Sequence, residues 1–149
     1  MTLKGGSNLS EKRVVDVELE WKGALKFDVN IRNTYKILVD ASSETEGVGV
    51  APAPDELLAA AVGSCLASSF AFCASKARAA LMGLTVNVKE EVSRVEGRLR
   101  VTSINVTLNP KFAEEDDKKL ERCKAIFRNY CTVTESVVKG IPVNVTVKT

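Results

Sequence analysis

The sequence predicts an α+β fold in which antiparallel sheets pack against a long, buried central helix. Three observations lead to this prediction. Short runs of alternating apolar and polar residues lie on both sides of the chain's middle, the stretch 57–75 carries no charged residue, and an amphipathic segment follows. Runs of strands with helices on one side are typical of α+β proteins. A length of 149 residues suits a single domain with a real core, so we expect one domain over 1–149.

The N-terminal part is expected to contain a flexible segment followed by a β meander. Residues 1–12 are polar and contain glycine, and chain ends of this kind are often frayed. Within 13–40, apolar and polar residues alternate in three runs, at 14–21, 25–31 and 35–39, as in half-buried strands. Lys22-Gly23 separates the first two runs as a tight turn, and the Ser-, Gly- and Pro-rich segment 41–54 predicts a loop.

A long helix is predicted from about Asp55 to Met82, with Gly83 ending it. Asp55 and Glu56 lie in its first turn, where the positive end of the helix dipole stabilises carboxylates. The uncharged run is long enough to span a membrane. Its many Ala and Ser residues indicate instead a helix buried inside a protein, so no membrane partner is expected.

The rest of 55–149 predicts a hairpin, two helices and a closing strand. Alternating runs at 84–88 and 99–108 flank Glu96-Gly97, a hairpin turn signal, and Pro110 is expected to end the second strand. The segment 114–130 is acidic first and basic later, and it predicts an amphipathic helix. A short helix over 131–138, closed by Gly140, and a last strand over 142–147 complete the prediction.

The composition excludes several classes of function. The chain has no His, which excludes Ser-His-Asp triads, Cys-His dyads and zinc sites that contain His. A net charge of +2 gives no reason to expect a nucleic-acid partner. The N-terminus has no apolar signal core, so we expect a cytoplasmic location, where thiols are normally reduced. The cysteine spacing does not suit a metal site, and no cofactor is expected.

Four cysteines carry the remaining chemistry: Cys65, Cys73, Cys123 and Cys131. Free cysteines are often simply buried, and the apolar surroundings of Cys73 and Cys123 favour a packing role. Cys65 lies in the middle of the predicted central helix, whereas Cys131 lies at a break between two helices, where a side chain can be presented. A cysteine at such a break could resolve a bond to one held in a rigid helix, as in a two-cysteine redox site. The spacing alone leaves open whether they meet.

Two motifs resemble those of a known family. The segment 54–65, Pro-Asp-Glu-Leu-Leu-Ala-Ala-Ala-Val-Gly-Ser-Cys, resembles the signature helix of the OsmC/Ohr superfamily, the osmotically inducible protein C and organic hydroperoxide resistance proteins. Tyr130-Cys131-Thr132-Val133 resembles the family's second cysteine motif, and 140–145 resembles its closing strand. The resemblance implies an intertwined homodimer, in which strands of both subunits wrap around paired central helices and the active sites lie at the subunit interface.

The resemblance also implies an activity, the thiol-dependent reduction of organic hydroperoxides in oxidative-stress defence. Under this hypothesis, Cys65 attacks the O–O bond as a thiolate and becomes a sulfenic acid. Cys131 then condenses with it to form a disulfide. An external dithiol, of the lipoyl type in the well-studied branch, restores the two thiols.

A cation is expected beside the Cys65 thiolate, because burial raises the pKa of a thiol. The resemblance implies an Arg near the first hairpin, held by a carboxylate just after the Pro that opens the central helix. Lys22 lies near the expected place, Arg32 is a second candidate, and Asp55, with Glu56 beside it, is the carboxylate. Peroxidatic members prefer Arg and Glu at these two places, and many have Cys-Pro-Val-Ser where this chain has Cys-Thr-Val-Thr. These departures indicate a less characterised OsmC-like branch.

Two other functions stay open at this point. A carrier protein on the same fold would hold an acyl or other hydrophobic ligand in an apolar pocket at the dimer interface, without peroxidase activity. The missing Arg motivates that alternative. A structural or chaperone-like stress protein would have no site, and its Cys65 should react no faster than Cys73.

Overall fold

The computed structural model describes residues 12–41, 49–113 and 117–149, with Asp117 described by its backbone alone. Nearly all of the predicted flexible segment 1–12, half of the loop 41–54 and the start of the second predicted helix lie outside the described residues. The chain divides into two compact units, residues 1–54 and 55–149. Their elements together are of the α+β class with antiparallel sheets and a long helix, as predicted.

The N-terminal unit is an antiparallel meander of three strands. Strands β1 (Val17–Trp21), β2 (Lys26–Ile31) and β3 (Tyr35–Asp40) pair in the order β1-β2-β3. The three predicted strands are confirmed, although β1 is shorter at its N-terminal end than predicted. Arg32 and Asn33 in the β2–β3 turn have φ of 54° and 53°. Two successive positive φ angles are typical of a type I′ turn, whose twist matches that of the flanking strands.

The C-terminal unit contains a long antiparallel hairpin of strands β4 (Leu81–Val95) and β5 (Arg98–Phe112). Its turn is Glu96-Gly97, as predicted, with both residues at positive φ. The prediction that Pro110 ends the second strand was wrong, because Pro110 lies within β5 and pairs with Leu84. Among the described residues β5 has a partner strand on one side only. Such an edge strand tolerates proline, since the missing N–H can face away from the partner.

Helix α1 (Pro54–Lys76) ends earlier than predicted. The N–H groups of Arg78 and Ala79 donate to carbonyl oxygens of the last helical turn, and Arg78 has a φ of 57°. This is a Schellman motif, which usually places glycine at the left-handed position. The predicted end at Met82 with Gly83 as the cap was therefore wrong, because Arg78 takes the glycine's role and Gly83 lies inside β4.

Gly63 allows α1 to lie close to strand β4. A Cβ atom at this position would lie 2.6 Å from Cγ2 of Val88, well inside van der Waals contact. Within the described residues, α1 is the one helix long and apolar enough to cross a membrane, a criterion that the core helix of a water-soluble protein also meets. One face of α1 is buried, and it consists of Val62, Gly63, Leu66, Ser69, Phe70, Cys73 and Ala74.

Helices α2 (Asp117–Ile126) and α3 (Thr132–Lys139) follow the hairpin, joined by a 3-10 helix over Phe127–Tyr130. Gly140 caps α3 with a φ of 72°, as predicted. The predicted closing strand at 142–147 was wrong, since residues 140–149 form neither strand nor helix. A strand needs a neighbouring strand to bond with, and none among the described residues pairs with this segment. Its alternating apolar side chains are 66–82% exposed: Ile141, Val143, Val145 and Val147.

Two apolar clusters form the core of the C-terminal unit, and each contains one pair of cysteines. Phe127 packs against both clusters. The first cluster contains Val62, Leu66 and Cys131, with Cys65, Ile104, Val106 and Val133 packed against it. The second contains Phe70, Cys73 and Cys123, with Ala77, Leu81, Leu84, Leu108, Phe112, Leu120 and Ile126 around it.

Candidate active site

Cys65 and Cys131 lie in contact in the first apolar cluster. Cys65 comes from the middle of α1, and Cys131 is the N-cap residue of α3. Their side chains form a hydrogen-bonded pair, and both are free thiols. Cys131 is 0% exposed, whereas Cys65 is partly exposed. The structure thus brings together the two cysteines that the sequence singled out and gives only one of them access to solvent.

The N-terminus of α3 faces both sulfurs. Backbone N–H groups of Val133 and Thr134 donate toward Cys65, and that of Thr134 also donates toward Cys131. Cys131 Sγ donates to Thr134 Oγ1 over 2.9 Å. When Cys131 is a thiolate, the same hydroxyl can turn and donate to the sulfur. Because N–H groups at a helix start carry partial positive charge, they stabilise a thiolate without any cationic side chain.

These surroundings separate the pKa values of the two thiols. Burial raises the pKa of Cys131, but hydrogen bonds from Cys65, Thr134 and Ser69 outweigh burial, so the pKa of Cys131 lies below its usual value. Burial also raises the pKa of Cys65, and its hydrogen bond to Cys131 raises that pKa further. The first proton to leave the pair therefore leaves from Cys131, and the Cys65 thiol then donates to the Cys131 thiolate.

An apolar cavity of about 320 Å³ lies beside the pair. Thr134, the hydrogen-bond partner of Cys131, forms part of its wall, as do Val62 and Ile104 of the first cluster. A molecule with a short apolar chain fits a space of this size and lining. The remaining wall residues come from α1, β5 and α3: Leu58, Val101, Thr102, Ser103, Val137 and Val138.

Asp55 and Glu56 lie in the first turn of α1 and not beside the two sulfurs. At roughly 1.5 Å of rise per residue, Asp55 lies about 15 Å from Cys65 along the helix. Both carboxylates lie near Glu90 on β4. Burial raises the pKa of Glu90, and the charges of Asp55 and Glu56 raise it further. Within the described residues, no three Cys, Asp or Glu side chains converge closely enough to hold a metal ion.

Lys22 and Arg32, the two candidate cations, belong to the N-terminal unit. Lys22 Nζ lies 2.9 Å from a carboxylate oxygen of Glu20 and 3.6 Å from one of Asp28. The hydrogen bond with Glu20 and the nearby negative charges raise the pKa of Lys22. The guanidinium of Arg32 lies 5.3 Å from the centre of the Tyr35 ring, a cation–π distance. Within its own unit, Lys22 is thus held as a cation by acidic neighbours.

A comparison with protein families identifies one that matches this chain. The family model described as OsmC-like protein matches residues 44–146, well over half of the chain. The chain belongs to the OsmC-like family. A search of the curated proteins found no match.

Solved structures confirm the OsmC-like fold. An OsmC-like protein of unknown function from Vibrio cholerae is 19% identical, with a TM-score of 0.74 over 84% of this chain and 94% of that one. An organic hydroperoxide resistance protein from Legionella pneumophila is 16% identical, with a TM-score of 0.65 over 86% and 91%. An organic hydroperoxide resistance protein from Elizabethkingia anophelis is 15% identical, with a TM-score of 0.64 over 86% and 91%. At these identities, the likeness establishes the fold alone.

The groups in this OsmC-like chain that stabilise a thiolate at Cys131 were not predicted from the sequence. The Lys or Arg predicted beside Cys65 is a separate expectation. At Cys131, the C-terminal unit supplies the N-terminus of α3 and the hydroxyl groups of Thr134 and Ser69. One signal was present, because a short helix beginning at Cys131 places that sulfur at a helix N-terminus. Ser69 follows Cys65 by one helical turn and therefore lies on the same face of α1.

Proposed function

We propose that this protein is a thiol peroxidase that reduces organic hydroperoxides at Cys65 and Cys131. The observation that carries the proposal is the contact between a partly exposed thiol and a buried sulfur at the start of α3. Membership of the OsmC-like family supports it, because organic hydroperoxide resistance proteins share the fold. The corresponding role is oxidative-stress defence.

The first step oxidises Cys65. A hydroperoxide reaches Cys65 rather than Cys131, since only Cys65 is exposed. Transfer of the Cys65 proton to Cys131 across their hydrogen bond makes Cys65 the thiolate. The Cys65 sulfur attacks the outer oxygen of ROOH, the O–O bond breaks, and the alkoxide takes up a proton and leaves as an alcohol. Cys65 is then a sulfenic acid.

The second step forms the disulfide. Cys131, which received the Cys65 proton in the first step, loses it again, a loss that its hydrogen bonds favour. The resulting Cys131 thiolate attacks the sulfenic sulfur of Cys65. Hydroxide leaves and takes up a proton to become water, so that two electrons have passed from the dithiol to the peroxide. An external dithiol, of the lipoyl type in our proposal, reduces the disulfide by thiol–disulfide exchange. No bound cofactor enters this sequence.

The cavity beside the pair favours hydroperoxides with an apolar chain as substrates, rather than hydrogen peroxide. Its wall is built largely from aliphatic side chains, and it begins at Thr134, next to the Cys131 sulfur. Burial of each methylene group contributes about 0.8 kcal/mol. Cumene hydroperoxide should therefore have a lower KM than hydrogen peroxide. Val137→Asp, which places a charge in the cavity wall, should raise the KM for cumene hydroperoxide alone.

Disulfide mapping tests the redox pair. Reduced protein is mixed with one equivalent of cumene hydroperoxide, quenched with an alkylating agent and analysed by non-reducing peptide mass spectrometry. We expect a Cys65–Cys131 disulfide within seconds, with Cys73 and Cys123 alkylated. Cys65→Ser should abolish the rapid consumption of cumene hydroperoxide, and Cys73→Ser, the matched control in the same helix, should retain it. Four free thiols after minutes, or undiminished consumption by Cys65→Ser, would contradict the proposal.

A sulfenic-acid trap tests the roles of the two sulfurs. In Cys131→Ser, dimedone should label Cys65 after peroxide treatment, because the resolving thiol is missing. In Cys65→Ser, Cys131 should stay unlabelled, since its side chain is 0% exposed. A dimedone adduct on Cys131 would show that Cys131 attacks the peroxide and Cys65 resolves the sulfenic acid. The reaction of the two thiols with peroxide would still stand.

Lys22, Asp55 and Glu56 enter the proposal through the family resemblance, as a cation and carboxylates that assist Cys65. Lys22→Met should lower the rate of hydroperoxide reduction. Lys36→Met is a matched control, because Lys36 Nζ also pairs with Asp28, at 3.2 Å, and is not a candidate. Equal rates for the two variants would remove Lys22 from the site. Arg32→Met, Asp55→Asn and Glu56→Gln extend the same comparison.

A homodimer is the proposed assembly, with the active sites at the subunit interface. The exposed apolar side chains of segment 140–149 support it, because a monomer in water leaves that surface uncovered. The mass measured by light scattering during size-exclusion chromatography should be twice 16.1 kDa. A monomeric mass at micromolar concentration would contradict this assembly. A reducing cytoplasm is the proposed location.

The apolar cavity favours one second candidate, an OsmC-like carrier of a hydrophobic ligand without peroxidase activity. A volume of about 320 Å³ can hold a short acyl group. Native mass spectrometry of freshly purified protein should then show a retained small molecule. An apo mass combined with rapid disulfide formation favours the peroxidase.

A further inference from the structure

A second pair of cysteines lies in the core of the C-terminal unit. Cys73, near the end of α1, and Cys123, in α2, both belong to the second apolar cluster, and their side chains form a hydrogen bond. They are free thiols with 6% and 1% of their surface exposed. A disulfide between them requires the two sulfurs to move from hydrogen-bonding contact to about 2.05 Å.

A cavity of about 190 Å³ opens onto this second pair. Both cysteines line it, and Cys73 is the more exposed of the two to a molecule inside it. This volume is ample for a molecule as small as hydrogen peroxide. Two cations and two aromatic rings line it as well, with smaller apolar groups between them: Lys76, Arg122, Phe72, Tyr130, Ala77 and Ile126.

Direct exchange with the first pair cannot oxidise the second. Cys65 and Cys73 lie on the same helix, about 12 Å apart along its axis, and they pack in different clusters. Thiol–disulfide exchange requires a sulfur of one pair to attack a sulfur of the other. An oxidant must therefore reach Cys73 and Cys123 through their own cavity.

We propose that Cys73 and Cys123 are a second redox-active dithiol, which small hydroperoxides convert to a disulfide between α1 and α2. The Cys73 sulfur loses its proton and attacks one peroxide oxygen, the O–O bond breaks, and the leaving hydroxide takes up the proton as water. Cys123 then loses its proton and attacks the resulting sulfenic sulfur, and a second water leaves. The two thiols lose two electrons, and the peroxide gains them.

Formation of the Cys73–Cys123 disulfide should be slower at neutral pH than formation of the Cys65–Cys131 disulfide. Burial and the hydrogen bond with Cys73 raise the pKa of Cys123 to about 11, and the charge of Arg122 offsets only part of the increase. Lys76 and Tyr130 are the other titratable groups around the cavity. Because Cys123 must attack the sulfenic sulfur of Cys73 as a thiolate, this second step should accelerate as the pH rises toward 11.

Peptide mapping of the full-length protein tests the proposal. Reduced protein is treated with excess hydrogen peroxide at pH 7 and at pH 9, and samples are alkylated over time. The Cys65–Cys131 disulfide should form first. The Cys73–Cys123 disulfide should follow at least about tenfold more slowly at pH 7, with the gap narrowing at pH 9. The oxidised protein should also have a higher Tm than Cys73→Ala treated identically, because a cross-link between distant residues restricts the unfolded chain.

Two variants separate this proposal from the proposed peroxidase. The double variant Cys65→Ser/Cys131→Ser should still form the Cys73–Cys123 disulfide at the wild-type rate. Cys73→Ala should form only the first disulfide. Full alkylation of Cys73 and Cys123 at pH 9, under excess peroxide, would overturn the second site whatever the first pair does. Over-oxidation of either one without a cross-link would overturn it equally.

Discussion

Replacement of Thr134 by Val should weaken the Cys131 thiolate while preserving the shape of the side chain. Thr134 is buried, and its Oγ1 lies 2.9 Å from the sulfur of the fully buried Cys131. A hydrogen bond to a charged group contributes about 1.5–3 kcal/mol. Since the bonds from Cys65, Ser69 and the backbone N–H of Thr134 remain, we expect the lower end of that range. At about 1.4 kcal/mol per unit, the first pKa of the pair rises by about one unit.

The assay is the pH dependence of alkylation at Cys65, the accessible sulfur that shares its proton with Cys131. Peptide mass spectrometry separates Cys65 from the other cysteines. The midpoint for the pair should move to higher pH, and alkylation at pH 7 should slow about tenfold. Thr132→Val is the matched control, since Thr132 is an exposed residue of the same helical turn. An unchanged midpoint in Thr134→Val, or an equal shift in Thr132→Val, would refute the role of the hydroxyl group.

Three further predictions concern the supporting structure. Gly63→Ala should destabilise the fold by about 1 kcal/mol, because the clash with Val88 costs about 1–3 kcal/mol and the better helix propensity of Ala offsets about 1 kcal/mol. Thermal unfolding should show this loss of stability, and adding Val88→Ala should reverse it. Glu90→Gln should raise Tm at pH 7. Because the folded protein raises the pKa of Glu90, this carboxyl group contributes fully to stability only at low pH, and the contribution is lost as the pH rises through that pKa. The gain in Tm over wild type should therefore vanish below pH 4, and a gain that stays constant with pH would exclude the electrostatic cause. Val145→Lys should shift the proposed dimer toward a monomer in light scattering, whereas Thr146→Lys, at the alternate position of the same segment, should not.

Local sequence signals predicted the elements whose formation depends on local chemistry. Glu96-Gly97 between two alternating runs predicted the β4–β5 hairpin, because Gly97 readily takes the positive φ that such a turn requires. The C-terminal end of α1 was missed because Arg78 occupies a left-handed position where glycine is usual. The strand predicted at 142–147 has the right alternation, but alternation cannot supply a neighbouring strand.

The candidate site was predictable in its residues and not in its electrostatics. Cys65 and Cys131 follow from their motifs and from the helix break before Thr132. The proton balance between them depends on which groups point at each sulfur, and that depends on how α1 packs against α3. Thr134 and Ser69 carry no sequence signal of this role, since Ser and Thr are common in helices for other reasons.

This chain has no histidine that could act as a base, so the proposed chemistry depends on how the two sulfurs share their protons. Hydrogen bonds from the Cys65 thiol, from hydroxyl groups and from an N–H at the start of α3 stabilise a thiolate at Cys131, the buried resolving sulfur. Those surroundings leave the proton on Cys65, the sulfur that a substrate can reach. The directions of the two pKa shifts therefore favour the second step more than the first. A cation assisting catalysis must favour negative charge on Cys65 relative to Cys131. Loss of such a cation should slow formation of the sulfenic acid, while resolution of a sulfenic acid already formed continues at its normal rate.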